Sequence, residues 1–184
     1  MSNFKWLLAG ALTAATVIAP LVAAEPIAFT PENGFGGESV GAGSLKLLLG
    51  KPRAFHVTSN GSKLPDGTFR LDQTITFEGE TPKVRFWILT AIGDSHYTAT
   101  LSDAAGPVKG FTSGSHLSLH YRVKGPLVMH QELELSLDGR TIDNVGVITL
   151  LGIPVGHMHE TITRKVPSIT SNYSFKPRPL HGSA

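Results

Sequence analysis

From Gly41 to about Lys165 the chain alternates apolar and polar residues with a period of two, and turn residues interrupt it every 8 to 12 positions. Successive side chains on a strand point to opposite faces, so this pattern buries one face and wets the other. Short alternating runs at that spacing predict an all-β sandwich or barrel. The candidate strands are 41–49, 53–60, 68–77, 83–91, 95–102, 107–112, 116–124, 127–137, 141–150 and 157–165. No 12-residue stretch after residue 24 carries a helical period, and 20 Gly and 12 Pro in 184 residues oppose long helices.

Turn chemistry sets the registers. Asp138-Gly139 predicts a two-residue primed hairpin turn, with Leu137 opposite Arg140, Leu135 opposite Ile142 and Leu133 opposite Asn144. The Lys124-Gly125-Pro126 connection must keep the apolar rows of both flanking strands on one face, because a one-residue slip would invert a whole strand. That places Leu117 opposite Leu133 and Tyr121 opposite Met129. On the reverse face it places His120 opposite His130, Ser118 opposite Glu132 and His116 opposite Glu134. Sequential hairpins leave two bare edges, and closing the sheet removes both. The expected fold is therefore a single antiparallel β-barrel of about 8–10 strands, with a flat sandwich as the alternative.

The amino terminus has a different character. Lys5 precedes an apolar run from Trp6 to Ala19, then Pro20 and the small residues Ala23 and Ala24, the pattern of a secretory signal peptide cleaved before Glu25. The alternative is an uncleaved membrane anchor. The expected layout is a signal peptide over 1–24, an extended lead-in over 25–38, the barrel over 39–166 and an extended tail over 167–184. Export to the periplasm follows from the leader. The 16 Lys and Arg against 14 Asp and Glu give a formal charge of +2, which excludes the basic footprint of a nucleic-acid binder. The absence of Cys removes disulfides, thiolate ligands and thiol catalysis.

Several motifs occur in a fixed order: Leu71-Asp72-Gln73, Phe77-Glu78-Gly79-Glu80, Arg85-Phe86-Trp87-Ile88-Leu89, Tyr97-Thr98-Ala99, Gly106-Pro107-Val108-Lys109-Gly110 and Leu119-His120-Tyr121. Phe35-Gly36-Gly37 and Gly41-Ala42-Gly43 precede them, and Arg140-Thr141-Ile142, Asn144 and Gly152 follow. Over roughly residues 35 to 165 the chain resembles the bacterial envelope family known as domain of unknown function 3833, mostly small lipoproteins. The resemblance implies a lipocalin-like barrel and an envelope location, with possible envelope association, and it implies no reaction. Gln73 stands where that family usually shows Glu, and no Cys precedes the domain for lipid attachment.

Ligand pockets are mostly apolar with a few placed polar groups. Phe69, Phe77, Phe86 and Tyr121 suit a barrel interior or its plug, and Arg85 beside Trp87 offers an anionic anchor with an amphipathic wall. The candidate ligand-binding residues are Phe69, Phe77, Arg85, Trp87, Tyr97 and Tyr121. Candidate metal ligands are the pair His120 and His130 and the pair His157 and His159, although no metal or other cofactor is expected without Cys or a helical His pair. Asp72 near Arg85, and Glu132 with Asp143, are the carboxylates available for acid–base chemistry, and no catalytic residue is assigned. The function expected is binding or shielding of an apolar or amphipathic, lipid-like small molecule. The alternatives are a structural or interaction protein with a solid core, and an enzyme acting on a lipid-like ligand. The composition fixes neither the ligand nor the oligomeric state. Mass spectrometry of the exported protein is expected to find a chain that begins at Glu25; a mass that still includes residues 1–24 would establish an anchor instead.

Overall fold

A computed structural model describes residues 25–165 apart from Lys124. The leader over 1–24 and the tail over 167–184 lie outside the described residues. A short helix, α1 (Pro31–Phe35), is followed by ten strands: β1 (Gly37–Leu47), β2 (Arg53–Lys63), β3 (Phe69–Phe77), β4 (Lys83–Ala91), β5 (His96–Leu101), β6 (Val108–Ser113), β7 (His116–Arg122), β8 (Leu127–Leu135), β9 (Thr141–Leu150) and β10 (Ile153–Arg164). Each strand pairs antiparallel with the next, and β1 also pairs with β10, so the sheet is a closed barrel. A flat sandwich is excluded. Apolar rows face inward and rows rich in Thr, Ser, His and Lys face outward, the reverse of a cylinder embedded in lipid.

The β7–β8 register matches the expectation at every pair, from His116↔Glu134 to Tyr121↔Met129. On the far side of β8, Leu135↔Ile142 and Leu133↔Asn144 also match. The turn itself differs. Leu137 and Arg140 form no ladder pair; the last bond runs from Ser136 N to Thr141 O at 2.9 Å, and Gly139 N closes the turn on Ser136 O at 2.9 Å. Only Gly139 has positive φ there, at 67°. The Asp138 carboxylate accepts from Ser136 Oγ at 2.7 Å and from Arg140 N at 3.0 Å, so its side chain caps a longer loop.

The lead-in is not extended throughout. Thr30 caps α1 by accepting from Asn33 N at 3.1 Å, and Pro31 begins the helix with its φ already set. A helix of 5 residues is too short to register as helical periodicity. It carries Phe35 into one end of the barrel, where the ring meets Phe29 edge-on at 5.5 Å. The plug is fastened from the wall. Phe29 N donates to Gly114 O at 2.7 Å, Arg164 donates to Asn33 O at 2.8 Å and Gly36 O at 2.9 Å, and Lys63 pairs with Glu32 at 3.1 Å. Around it Phe69, Leu117, Leu135 and Ile142 are buried and fill this half of the interior.

Ten strands enclose a wider lumen than eight, because barrel diameter grows with strand number. The plug fills one half only. A Cβ on Gly61 would overlap the Phe35 carbonyl oxygen and press on the Phe69 ring at 2.7 Å. Gly61→Ala is therefore expected to lose about 3 kcal/mol, the upper end for overpacking, read from the urea midpoint; an unchanged midpoint would mean that the plug does not seat against β2.

Candidate functional site

Along four inward rows a single polar residue interrupts an apolar series at mid-barrel. Gln73 lies between Leu71 and Ile75, Gln131 between Met129 and Leu133, Asn144 between Ile142 and Gly146, and Glu160 between Met158 and Ile162. All four are buried. Buried polar groups require partners, and most of these have them. The Tyr121 hydroxyl donates to Gln131 Oε1 at 2.7 Å, Gln131 Nε2 donates to Asn144 Oδ1 at 3.1 Å, and Asn144 Nδ2 donates to Glu160 Oε2 at 3.0 Å. Across the lumen Gln73 Oε1 accepts from Arg85 Nε at 2.9 Å and from Trp87 Nε1 at 2.8 Å, while Gln73 Nε2 donates to Ser59 Oγ at 3.3 Å.

Two polar groups stay incomplete. Glu160 Oε1 is buried and has no hydrogen-bond partner among the described residues. Arg85 bonds through Nε only and enters no ion pair among the described residues, its guanidinium lying 5.6 Å from the Trp87 ring centre. A Gln at position 73 supplies an acceptor without a charge, so the guanidinium charge is not neutralised there. Gly41 and Gly43 create the room opposite. A Cβ at Gly41 would fall on the Glu160 carboxylate, and one at Gly43 would reach the Phe55 ring at 2.7 Å.

Arg85 and Glu160 both line a cavity of about 30 Å³ between the two networks and a larger pocket of about 280 Å³ beyond it. The larger pocket occupies the half of the barrel away from α1. Its walls are Phe55, Ile75, Phe77, Met129, Ile148 and Met158, and Lys83 and Asp103 stand at its mouth. Burial pushes the Glu160 carboxyl above its ordinary range, opposed by the Asn144 amide and the Arg85 charge. Burial likewise pushes the Tyr121 hydroxyl up to about 12, so it stays a donor in the chain. Chemically, the floor offers a cation with free donors, an unsatisfied carboxyl oxygen and a water-sized gap between them.

The six candidate residues divide. Phe77 and Arg85 line the large pocket, Trp87 lines the small cavity, and Tyr121 backs Trp87 edge-on at 5.5 Å. Phe69 belongs to the plugged half. Tyr97 lies there too, near Glu32 and Lys63, with burial raising its hydroxyl pKa. Phe86 faces outward, its ring under the Arg70 guanidinium at 4.6 Å, because it has the opposite strand parity to Arg85 and Trp87. Asp72 is outside as well and pairs with Arg70 at 2.6 Å, not with Arg85.

The histidines form two separate pairs on the outer surface, with β9 between them. His120 and His130 have ring centres 5.7 Å apart, but His130 Nε2 is engaged by Glu132 at 2.8 Å. His159 pairs with Asp143 at 2.6 Å, and His157 is exposed beside it. Glu132 bonds His116 at 2.6 Å, away from Asp143. Among the described residues no group of three or more His, Asp or Glu is placed to hold a metal ion. The residues that sequence reasoning passed over are Glu160, Gln73, Gln131 and Asn144. Their signal was present: each is a polar residue set between apolar residues or glycine two positions away on an inward row.

The family described as Protein of unknown function (DUF3833) matches residues 12–164. No curated protein matches the sequence. Among solved structures, the S-type phycobiliprotein lyase CPES from Guillardia theta superposes with a TM-score of 0.60 at 10% identity, covering 74% of this chain and 90% of that one. A protein with unknown function of the DUF3598 family from Nostoc punctiforme gives 0.57 at 16% identity, covering 77% of this chain and 51% of that one. At these identities the likeness concerns the fold, a lipocalin-like closed barrel.

The buried carboxyl has a measurable signature. Its raised pKa means the native state holds a proton that the unfolded chain releases near 4.5. Stability contributed by the proton is therefore lost as pH rises from that value through the folded pKa. Glu160→Gln lacks this loss, so its melting temperature relative to the parent should climb between pH 4 and pH 7. A difference that is flat with pH would sink the assignment.

Proposed function

We propose that this chain, which belongs to the DUF3833 family, is a binding protein whose barrel holds or shields one small apolar or amphipathic, lipid-like molecule in the periplasm. The observation that carries this is the half-empty lumen: an apolar pocket of about 280 Å³ ending on the Arg85 guanidinium and on Glu160. Ligand pockets start near this size, so a single-chain amphiphile fits better than a two-chain lipid. The chain would lie against Phe55, Phe77, Met129 and Met158, and an anionic head would meet the Arg85 donors. A carboxylate there satisfies the guanidinium, and a protonated Glu160 could donate from Oε1 to the same head. The periplasmic location is supported by the composition of residues 1–24.

A barrel with a structural role would have no need of an unfilled half or of a half-buried guanidinium facing it without an ion-pair partner among the described residues. That asymmetry favours binding over a solid scaffold. Native mass spectrometry of gently purified protein should reveal a bound amphiphile, and solvent extraction should release it. Arg85→Gln should weaken a medium-chain fatty acid by about 10- to 100-fold, the worth of a hydrogen bond to a charged group. The alcohol of the same chain length should bind the variant and the parent alike, with melting unchanged. Equal losses for acid and alcohol, or no binding of either by the parent, would overturn the proposal.

A further inference from the structure

The β1–β2 and β9–β10 loops stand side by side at the pocket mouth, tied by Leu48 N donating to Val155 O at 2.8 Å. Together they present Leu48, Leu49, Leu151 and Ile153, which are 71%, 98%, 84% and 66% exposed. Scattered exposed leucines are ordinary, but a contiguous apolar crown of this kind marks an interaction site. The backbone adds a second observation. Leu151 and Gly152 form the tip of the β9–β10 turn with φ of 51° and 84°, and Leu151 is the one non-glycine residue with positive φ among the described residues. Asn, Asp or Gly suits that position. A leucine there is unfavourable for the turn and for solvation at once, so folding does not account for it.

The surrounding charge identifies the partner. On the two crown loops and their strands, from Val40 to Phe55 the charged residues are Lys46, Lys51 and Arg53, and from Asn144 to His159 there is no acidic residue; the acids of this end, Glu78, Glu80 and Asp103, lie on the β3–β4 and β5–β6 loops. Arg53 is paired with Glu80, whereas Lys46 and Lys51 are exposed and enter none of the ion pairs of the described residues. Leucines at loop tips with unpaired lysines behind them match an anionic bilayer surface, the apolar tips entering the acyl boundary and the ammonium groups meeting the headgroups. The leucines sit on two loop tips rather than along a groove, which suits insertion into a lipid surface better than a groove-bound protein segment.

We propose that this crown docks the barrel, mouth first, on an anionic lipid surface. The pocket then opens toward the bilayer, since Leu45 and Phe55 line it from the strands that carry the first loop. The crown lies outside the pocket, so loss of ligand binding through Arg85 and loss of docking are separate results.

A chain without Cys accepts a single label cleanly. Leu49→Cys and Leu151→Cys, each carrying an environment-sensitive fluorophore, are compared in the full chain with Leu137→Cys, an exposed site at the plugged end. Vesicles of equal parts phosphatidylcholine and phosphatidylglycerol should blue-shift the two mouth labels and raise their emission roughly threefold, leaving the Leu137 site unchanged. Lys46→Glu with Lys51→Glu should weaken the response about tenfold, as should high salt. Unchanged mouth labels, or equal changes at all three sites, would overturn the proposal. So would the same blue shift arising with protein concentration alone, which would assign the crown to a second copy of this chain.

Discussion

Pairing of β1 with β10 governs the rest of this molecule. Once that edge is closed, every strand has two neighbours and the inward faces have only one another to contact. Ten strands then enclose more space than their own inward side chains occupy. An interior of that kind must be filled by something else or remain open. This chain does both: Phe29 and α1 fill one end, and the other is left as a pocket. The asymmetry between the two halves is thus a consequence of closure at this circumference.

The boundary between the halves is polar, which has a cost that packing alone would avoid. Burying Gln73, Gln131, Asn144 and Glu160 is tolerable because a hydrogen-bond chain runs through three strands to Glu160 Oε2, while Gln73 serves Arg85 and Trp87 opposite. The exception is Glu160 Oε1. A buried carboxyl oxygen without a protein partner is costly to the fold, and it packs against Gly41, where any Cβ would overlap it. Residues that oppose stability at one point, and converge on a cavity, are the expected marks of a site shaped for a ligand.

The outer wall behaves differently. There His116 bridges Glu132 and Glu134, and Asp143 pairs with His159, all in contact with water. The Glu134 and Glu132 carboxylates raise the His116 pKa, yet exposed pairs of this kind contribute little to stability. The histidine-rich face is a solvated ladder of cross-strand partners. At the mouth, by contrast, the leucines of the β1–β2 and β9–β10 tips gain nothing from the barrel itself.

Much of this was legible in the residues. The period-two alternation determined all ten strands, and the requirement that apolar rows share a face determined the β7–β8 register to the residue. On β4 both rows carry apolar residues, Val84, Phe86 and Ile88 on one and Trp87 and Leu89 on the other, so parity alone did not decide that Arg85 and Trp87 face inward and Phe86 outward. What the sequence could not decide was which inward residues face a filled half and which face an empty one. Phe69 and Phe77 sit on the same row of β3, yet one packs under the plug and the other lines the pocket. Glu160 directly follows the His157 and His159 pair in sequence but points to the other face of β10, and its meeting with Arg85 and Gly41 joins strands far apart in the chain. Local periodicity fixes the direction of a side chain; its neighbours across a closed lumen depend on stagger, circumference and the plug, which are properties of the whole barrel.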